Sequence, residues 1–230
     1  MGVQRGRLLV LRRVRVVSLA ALLVGLVVAG MPSADAKPRP GPPPLLDTMV
    51  NDQVNPCYGR PIEGGTTNGY EKGAATLTVD APAKVSSVVF PLSVSGTSAA
   101  TIQITIVSSK PFLGDPTDPN NTGSYWDRIP DETVVLGRTT ATVNVPSVPC
   151  GPTEIVTAKF KKPVAVSPGA LYWVVAQNPV GQTNTFFWAA STSFTAVSTH
   201  AIYIVDTNGA RWLSYPPGTF TPNAIRVLAK

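Results

Sequence analysis

Thr101-Ile102-Gln103-Ile104-Thr105-Ile106 carries the clearest fold signal in the chain. Polar and apolar residues alternate, so an extended chain places the three isoleucines on one face and the polar residues on the other. That is a β-strand with one side on a core. Working outward, Thr76-Leu77-Thr78-Val79, Thr142-Val143-Asn144-Val145 and Ile202 to Val205 follow the same pattern. In Thr153 to Phe160, alternation turns Val156, Ala158 and Phe160 inward and Thr157 and Lys159 outward. No segment from Ala74 onward sustains the 3.6-residue apolar period of a helix. Ser95-Gly96, Pro168-Gly169, Asn208-Gly209 and Pro217-Gly218 supply turn chemistry between the runs. Asn208-Gly209, between Ile202–Asp206 and Arg211–Leu213, is the strongest hairpin signal. About ten short strands so spaced predict an all-β, two-sheet antiparallel β-sandwich of jelly-roll type. Single-face alternation leaves a closed barrel as the alternative.

The N-terminus carries an address. Arg5, Arg7, Arg12, Arg13 and Arg15 precede an apolar run of 16 residues, Val16 to Met31, and Ala34-Asp35-Ala36 follows. A charged n-region, an h-region and an A-x-A site make a secretory signal peptide over residues 1–36, cleaved between Ala36 and Lys37. The run is shorter than the roughly 20 residues of a membrane-spanning helix, and Pro32 ends it, which disfavours an uncleaved anchor. Arg12-Arg13 invites a twin-arginine reading, but Arg15 interrupts the apolar residues expected after the pair, so general secretion is the better expectation. No cysteine near the junction supports a lipid anchor.

Export reorders the electrostatics. The whole chain holds 19 Lys+Arg and 13 Asp+Glu, a net charge of +6. Residues 1–36 account for five arginines and one acid, so the mature part has 14 against 12, a net of +2. That is too little to argue for nucleic acid or an anionic membrane. Lys159, Lys161 and Lys162 form the one basic cluster and read as a solvated strand end. Cys57 and Cys150, the two cysteines, pair as a disulfide by default in an exported chain. The bridge closes a loop for which chain entropy gives roughly 4.6 kcal/mol as an upper guide. Metal ligation fails on inventory, with His200 the sole histidine and no second thiol pair. Lys37 to Pro44 (KPRPGPPP) is a proline-rich extended spacer, and residues 45–230 fit one domain.

One insertion stands out, Lys110 to Glu132 (KPFLGDPTDPNNTGSYWDRIPDE), expected to leave the sandwich after Thr101–Val107 and return at Thr133–Leu136. Connections of this length are often functional. Its acids are Asp115, Asp118, Asp127, Asp131 and Glu132. Asp115, Asp118 and Asn120 bring oxygen ligands together as calcium requires, but the run lacks the glycine and terminal glutamate of an EF-hand, and Pro116 and Pro119 fit plain turns. No cofactor is therefore expected, with calcium as the alternative. Asn120-Asn121-Thr122 is a formal N-glycosylation sequon. Two loop carboxylates could in principle serve a glycosidase. A hydrolytic triad has one imidazole to draw on and no serine in a G-x-S-x-G turn. Catalysis is not expected.

The aromatics fall into two sets. Tyr172-Trp173, in the apolar run Leu171–Ala176, and Phe186-Phe187-Trp188 are expected to supply core rings, adjacent residues facing opposite sides. Tyr125-Trp126, Trp212 and Tyr215 sit in or beside polar, Gly/Pro-rich segments. Such rings either stack on the apolar faces of sugars or cap the open ends of the sandwich.

From Lys84 to the C-terminus the chain resembles the bacterial secreted β-sandwich domains called choice-of-anchor domains. Val85-Ser86-Ser87-Val88-Val89-Phe90 is similar to their early strand. Val166-Ser167-Pro168-Gly169-Ala170-Leu171-Tyr172-Trp173-Val174-Val175 is similar to their "L-x-x-G-x-x-Y-W" strand. Gly209-Ala210-Arg211-Trp212 followed by Ala224-Ile225-Arg226-Val227 resembles their closing hairpin. The resemblance implies an exported or surface-attached sandwich and carries no catalytic set. Ending at Lys230 without a sorting helix, the chain departs from many relatives, which favours a freely secreted product without a stable membrane anchor.

The expectation is a secreted, non-catalytic binding module for a carbohydrate or cell-envelope glycan. Tyr125, Trp126, Trp212 and Tyr215 would stack, and Asp127 and Arg128 would hydrogen-bond. The alternatives are a cell-surface structural or interaction protein docking on a protein partner through a sheet edge or the long loop, and a glycan hydrolase using the loop acids. The fold cannot choose among them.

Overall fold

The described elements of the chain are all β-strands: β1 (Leu46–Asp47), β2 (Val54–Ile62), β3 (Gly69–Leu77), β4 (Ala83–Val94), β5 (Ala100–Pro111), β6 (Arg128–Val143), β7 (Glu154–Val166), β8 (Tyr172–Gln177), β9 (Phe186–Ser191), β10 (His200–Asp206), β11 (Gly209–Ser214) and β12 (Arg226–Ala229). The computed structural model describes residues 42–49, 54–64, 69–95, 99–112, 128–148, 150–192, 200–206, 209–215 and 223–230. The segment expected to be an export signal, with its expected Ala36–Lys37 junction, and the start of the expected spacer lie outside these residues.

Four antiparallel pairings are nested: β5 with β6, β4 with β7, β3 with β8 and β2 with β9. This is one long hairpin rolled on itself. Its strands alternate between two sheets, β2-β9-β4-β7 and β3-β8-β5-β6. That strand order is a jelly roll. β10 and β11 widen the second sheet beyond β3, while β12 and then β1 fill the row beside β4 that β9 leaves open. The sheets do not close into a barrel. Their edges β6 and β7 are joined side chain to backbone, the Thr139 hydroxyl donating to the Lys159 carbonyl at 2.7 Å.

The core between the sheets follows from alternation. Ile102, Ile104 and Ile106 from β5 are fully buried, as are Val88, Phe90 and Leu92 from β4, and all belong to one apolar cluster. Val156, Ala158 and Phe160 of β7 point inward and Thr157 and Lys159 outward, as the sequence pattern requires. Trp188 anchors one end of this layer, its ring 5.8 Å from that of Phe90 and its Nε1–H donating to the Ala224 carbonyl at 2.8 Å. Gly73 lies beneath it, where a Cβ would sit 3.3 Å from Trp188 Cε3. The small residue makes room for the indole. Pro91 stands inside an interior strand, where the neighbouring row passes from β12 to β9. A break in the ladder is where an absent N–H is best tolerated.

Cys57 and Cys150 are disulfide-bonded, their Cα atoms 4.1 Å apart. Cys57 rides a bulge, Pro56 to Tyr58, that opens between Asn55 and Gly59 opposite Ala189 and Ala190. Cys150 lies between β6 and β7 in the chain, shortly after Pro146, which bridges Val94 of β4. The bridge therefore ties the edge strand β2 of the first sheet to the segment between β6 and β7. Ser93, on the outer face of that sheet, is buried although it points away from the core.

Three expectations are corrected. The insertion is shorter than Lys110 to Glu132, because Pro111 pairs with Arg128 and Ser108 with Asp131, so Asp131 and Glu132 belong to β6. Gly209–Trp212 and Ala224–Val227 do not form a closing hairpin. β11 pairs with β10 in the second sheet, the hairpin that Asn208-Gly209 signals, whereas β12 pairs with β1 and β4 in the first. Lys159, Lys161 and Lys162 occupy the middle of β7 and not a strand end.

Replacing both cysteines with alanine should lower the unfolding free energy by about 2–5 kcal/mol. Urea unfolding of the mature protein and the double variant, compared at equal pH, measures it. An unchanged midpoint would show that the strap stabilises nothing.

Candidate functional site

The outer face of the second sheet carries a second, smaller core. Consecutive strand residues face opposite sides, so Tyr172 of β8 enters the main core and Trp173 emerges on this outer face. Trp212 of β11 joins it in one buried cluster with Ala74, Val107, Val175 and Ala201, and Ile129 packs against the group. Both rings are buried, Trp173 fully and Trp212 at 6% exposure.

An arm formed by the far ends of β5 and β6 brings Ile129 there. Pairing runs regularly from Ala100↔Val143 to Ile106↔Gly137, then jumps to Val107↔Val135 and Ser108↔Asp131. β6 thus carries several more residues than its partner through this turn of the ladder, and such bulges bend and twist a strand. The arm delivers Glu132 to two donors from different strands. Lys72 Nζ of β3 reaches its carboxylate oxygens at 2.7 and 2.9 Å, and Trp212 Nε1–H donates to Oε2 at 3.3 Å. Trp173 Nε1–H donates to Ser109 Oγ at 3.2 Å, tying the same arm to β8. The Lys72–Glu132 side chains are 20% and 34% exposed. Solvent screening holds such a pair to about 1 kcal/mol or less, so its main effect is to fix the position of the arm.

Asp131 makes a local cap. The Thr133 hydroxyl donates to Oδ1 at 2.7 Å and the Thr133 N–H at 3.2 Å, with Lys110 Nζ 3.8 Å away. The Thr133 hydroxyl is the largest cause holding this carboxyl below the usual aspartate range; the Thr133 N–H and the Lys110 charge act in the same direction and partial burial opposes them.

The residues expected to bind ligand are thereby sorted. Arg128 starts β6, half-buried, opposite Pro111. It shares the arm with Ile129, packed against the cluster that holds Trp212, and with Glu132, which accepts from Trp212, so the arm and Trp212 meet on one face. Trp212, expected to stack on a ligand, has its ring buried and its N–H engaged. Tyr215 is half-buried, and the Arg60 guanidinium of β2 lies 5.9 Å from its ring centroid, a cation–π contact linking the edges of the two sheets. Tyr125, Trp126 and Asp127 lie outside the described residues, as do Asp115, Asp118 and Asn120. Among the described residues no three His, Cys, Asp or Glu side chains gather as metal ligands would.

Lys72 and Glu132 are the organising residues that sequence reading missed. Glu132 was visible only as one acid of a loop, and Lys72 carries no local signal, because the two are 60 residues apart and meet through the bulge. No protein-family model and no curated protein matches the chain.

Asp131→Asn should destabilise the protein at neutral pH. A carboxyl whose folded pKa is depressed contributes stability above its unfolded pKa and loses it as pH falls through the folded value. The urea midpoints of wild type and variant should therefore differ at pH 7 and converge below about pH 4. A gap that stays constant with pH would remove the Thr133 cap as the cause.

Proposed function

We propose that the chain is exported and serves as a non-catalytic binding module for a carbohydrate or cell-envelope glycan, contacted where the β5–β6 arm meets the residues 112–127 that connect its strands. The arm carries this reading. It is pinned to the second sheet by Glu132 and Ser109, it begins with half-buried Arg128, and Tyr125-Trp126-Asp127 directly precede Arg128 in sequence. Function is often carried by a long connection mounted on a rigid scaffold. Trp212 and Tyr215 are engaged internally, so the proposed contact set narrows to Tyr125, Trp126, Asp127 and Arg128, with Trp212 supporting the arm from beneath. The arginine-led signal segment and the disulfide support export.

A cell-surface interaction protein is the second reading, favoured by Val134, Val135 and Leu136, each at least 40% exposed on the edge strand β6. The other long edges are guarded, β7 by lysines and Pro163, β2 by Pro56, Pro61 and the disulfide strap.

A glycan array probed with residues 37–230 tests the first reading. Trp126→Ala should weaken the best hit by about tenfold or more, the signature of a central aromatic anchor. Trp212→Phe should retain binding while lowering thermal stability. Unchanged binding by Trp126→Ala, or a protein partner recovered through Val135 with no glycan bound, would overturn it.

A further inference from the structure

Five lysines gather on the first sheet, on the side of the sandwich opposite the arm. Lys159, Lys161 and Lys162 lie on β7, Lys84 on β4 and Lys230 directly after β12, and all five are exposed. The ladder makes them neighbours. Lys84 pairs with Ala165 and Ser87 with Lys159, and between those pairs β7 bulges through Lys161 and Lys162 opposite Ser86. The Lys230 N–H donates to the Lys84 carbonyl at 3.0 Å. From Lys84 to the Lys159 pair is three residues of β4, roughly 10 Å at strand spacing. A cleft of about 540 Å³ opens between Lys84 and Lys230, walled by Ala165, Ser167 and Ala229.

The charges are unbalanced. None of the five forms an ion pair with a described residue. No acid occurs in β4, in β12 or in residues 155–166 of β7. Glu154 is at the far end of β7, bonded to Asn144, and Asp47 is held by Arg226; Asp80, before the turn into β4, is the remaining described acid nearby in sequence. Lysines on an exposed edge commonly serve to block strand addition. That explains Lys159 and Lys161 on the edge strand β7, but not Lys84 on an interior strand or Lys230 beside it. A mature chain of net +2 with five unpaired lysines on one surface concentrates its field there.

We propose that this surface binds an acidic polysaccharide, with the lysines meeting carboxylates along the chain and the cleft between Lys84 and Lys230 seating one sugar residue. Ammonium groups on flexible stems suit anions of variable placement and need no bidentate geometry. The cleft is concave and its walls small, which fits a chain better than the plane of a bilayer. Ile155, the exposed large apolar residue of β7, sits at the opposite end of that strand, by Pro91. The surface lies on the first sheet, whereas the arm belongs to the second, and it does not rest on the stacking reading.

The probe is polygalacturonate, titrated calorimetrically into the mature protein at low and at physiological salt, with neutral dextran and phosphatidylglycerol vesicles in parallel. Binding to polygalacturonate that weakens with salt, with none to dextran, is expected. K84Q/K161Q/K162Q should lose about tenfold in affinity or more while melting at the wild-type temperature, and K84R/K161R/K162R should keep it. Should the triple variant not fold, Lys84→Gln and Lys162→Gln singly should each show part of the loss. K84Q/K161Q/K162Q should still bind the best neutral hit of the glycan array as wild type does, which separates this surface from the arm. No binding by the wild type, full binding by the glutamine variants, or tighter binding to the vesicles would overturn the proposal.

Discussion

Burial of one face of each strand in the rolled hairpin is the constraint on which the rest of the structure depends. Ile102, Ile104 and Ile106 on one sheet and Val88, Phe90 and Leu92 on the other belong to a single apolar cluster. A slip of one residue in either strand would turn its whole set to solvent, so the core fixes register as well as stability. The nested pairings then follow in order, with the β5–β6 pair innermost and β2–β9 outermost. Everything distinctive about the surface is added to that frame by bulges, where the ladder gains residues on one strand only.

Two bulges do opposite things. The one in β2 carries Cys57, whose bond to Cys150 fastens an edge strand that would otherwise be free to fray or pair with another chain. The one in β6 lets the end of a hairpin bend onto the outer face of the second sheet, where Glu132 joins Lys72 to Trp212. A jelly roll has two outer faces that ordinarily meet water. Here the arm covers part of one, and the lysine strip beside β7 is a strongly charged area of the other.

The buried Trp212 alters how the arm is understood. An indole in a glycine-flanked segment suggests a ligand platform, yet its ring is buried in the outer cluster and its N–H is bonded to Glu132. Its contribution is to hold the arm that ends in Arg128. Tyr215 is similar, stacked against Arg60 across the sheet edges. In both cases a side chain suited to recognition secures the scaffold instead.

Sequence alone determined the class of the fold and much of its core. Alternation in Thr101–Ile106 and Thr153–Phe160 specifies which side chains are inward, because a strand has a period of two and the apolar side must leave water. It also marked the hairpin at Asn208-Gly209 and, through the expectation of export, the pairing of the two cysteines. The tertiary structure decided where β11 and β12 part company, one to each sheet, since local sequence records strands but not their neighbours. It decided that Asp131 and Glu132 are strand residues, that Trp212 is covered, and that Lys84 and Lys230 stand beside Lys161 and Lys162. These are contacts between residues far apart in the chain, set by ladder register and bulge position, and no local pattern encodes them.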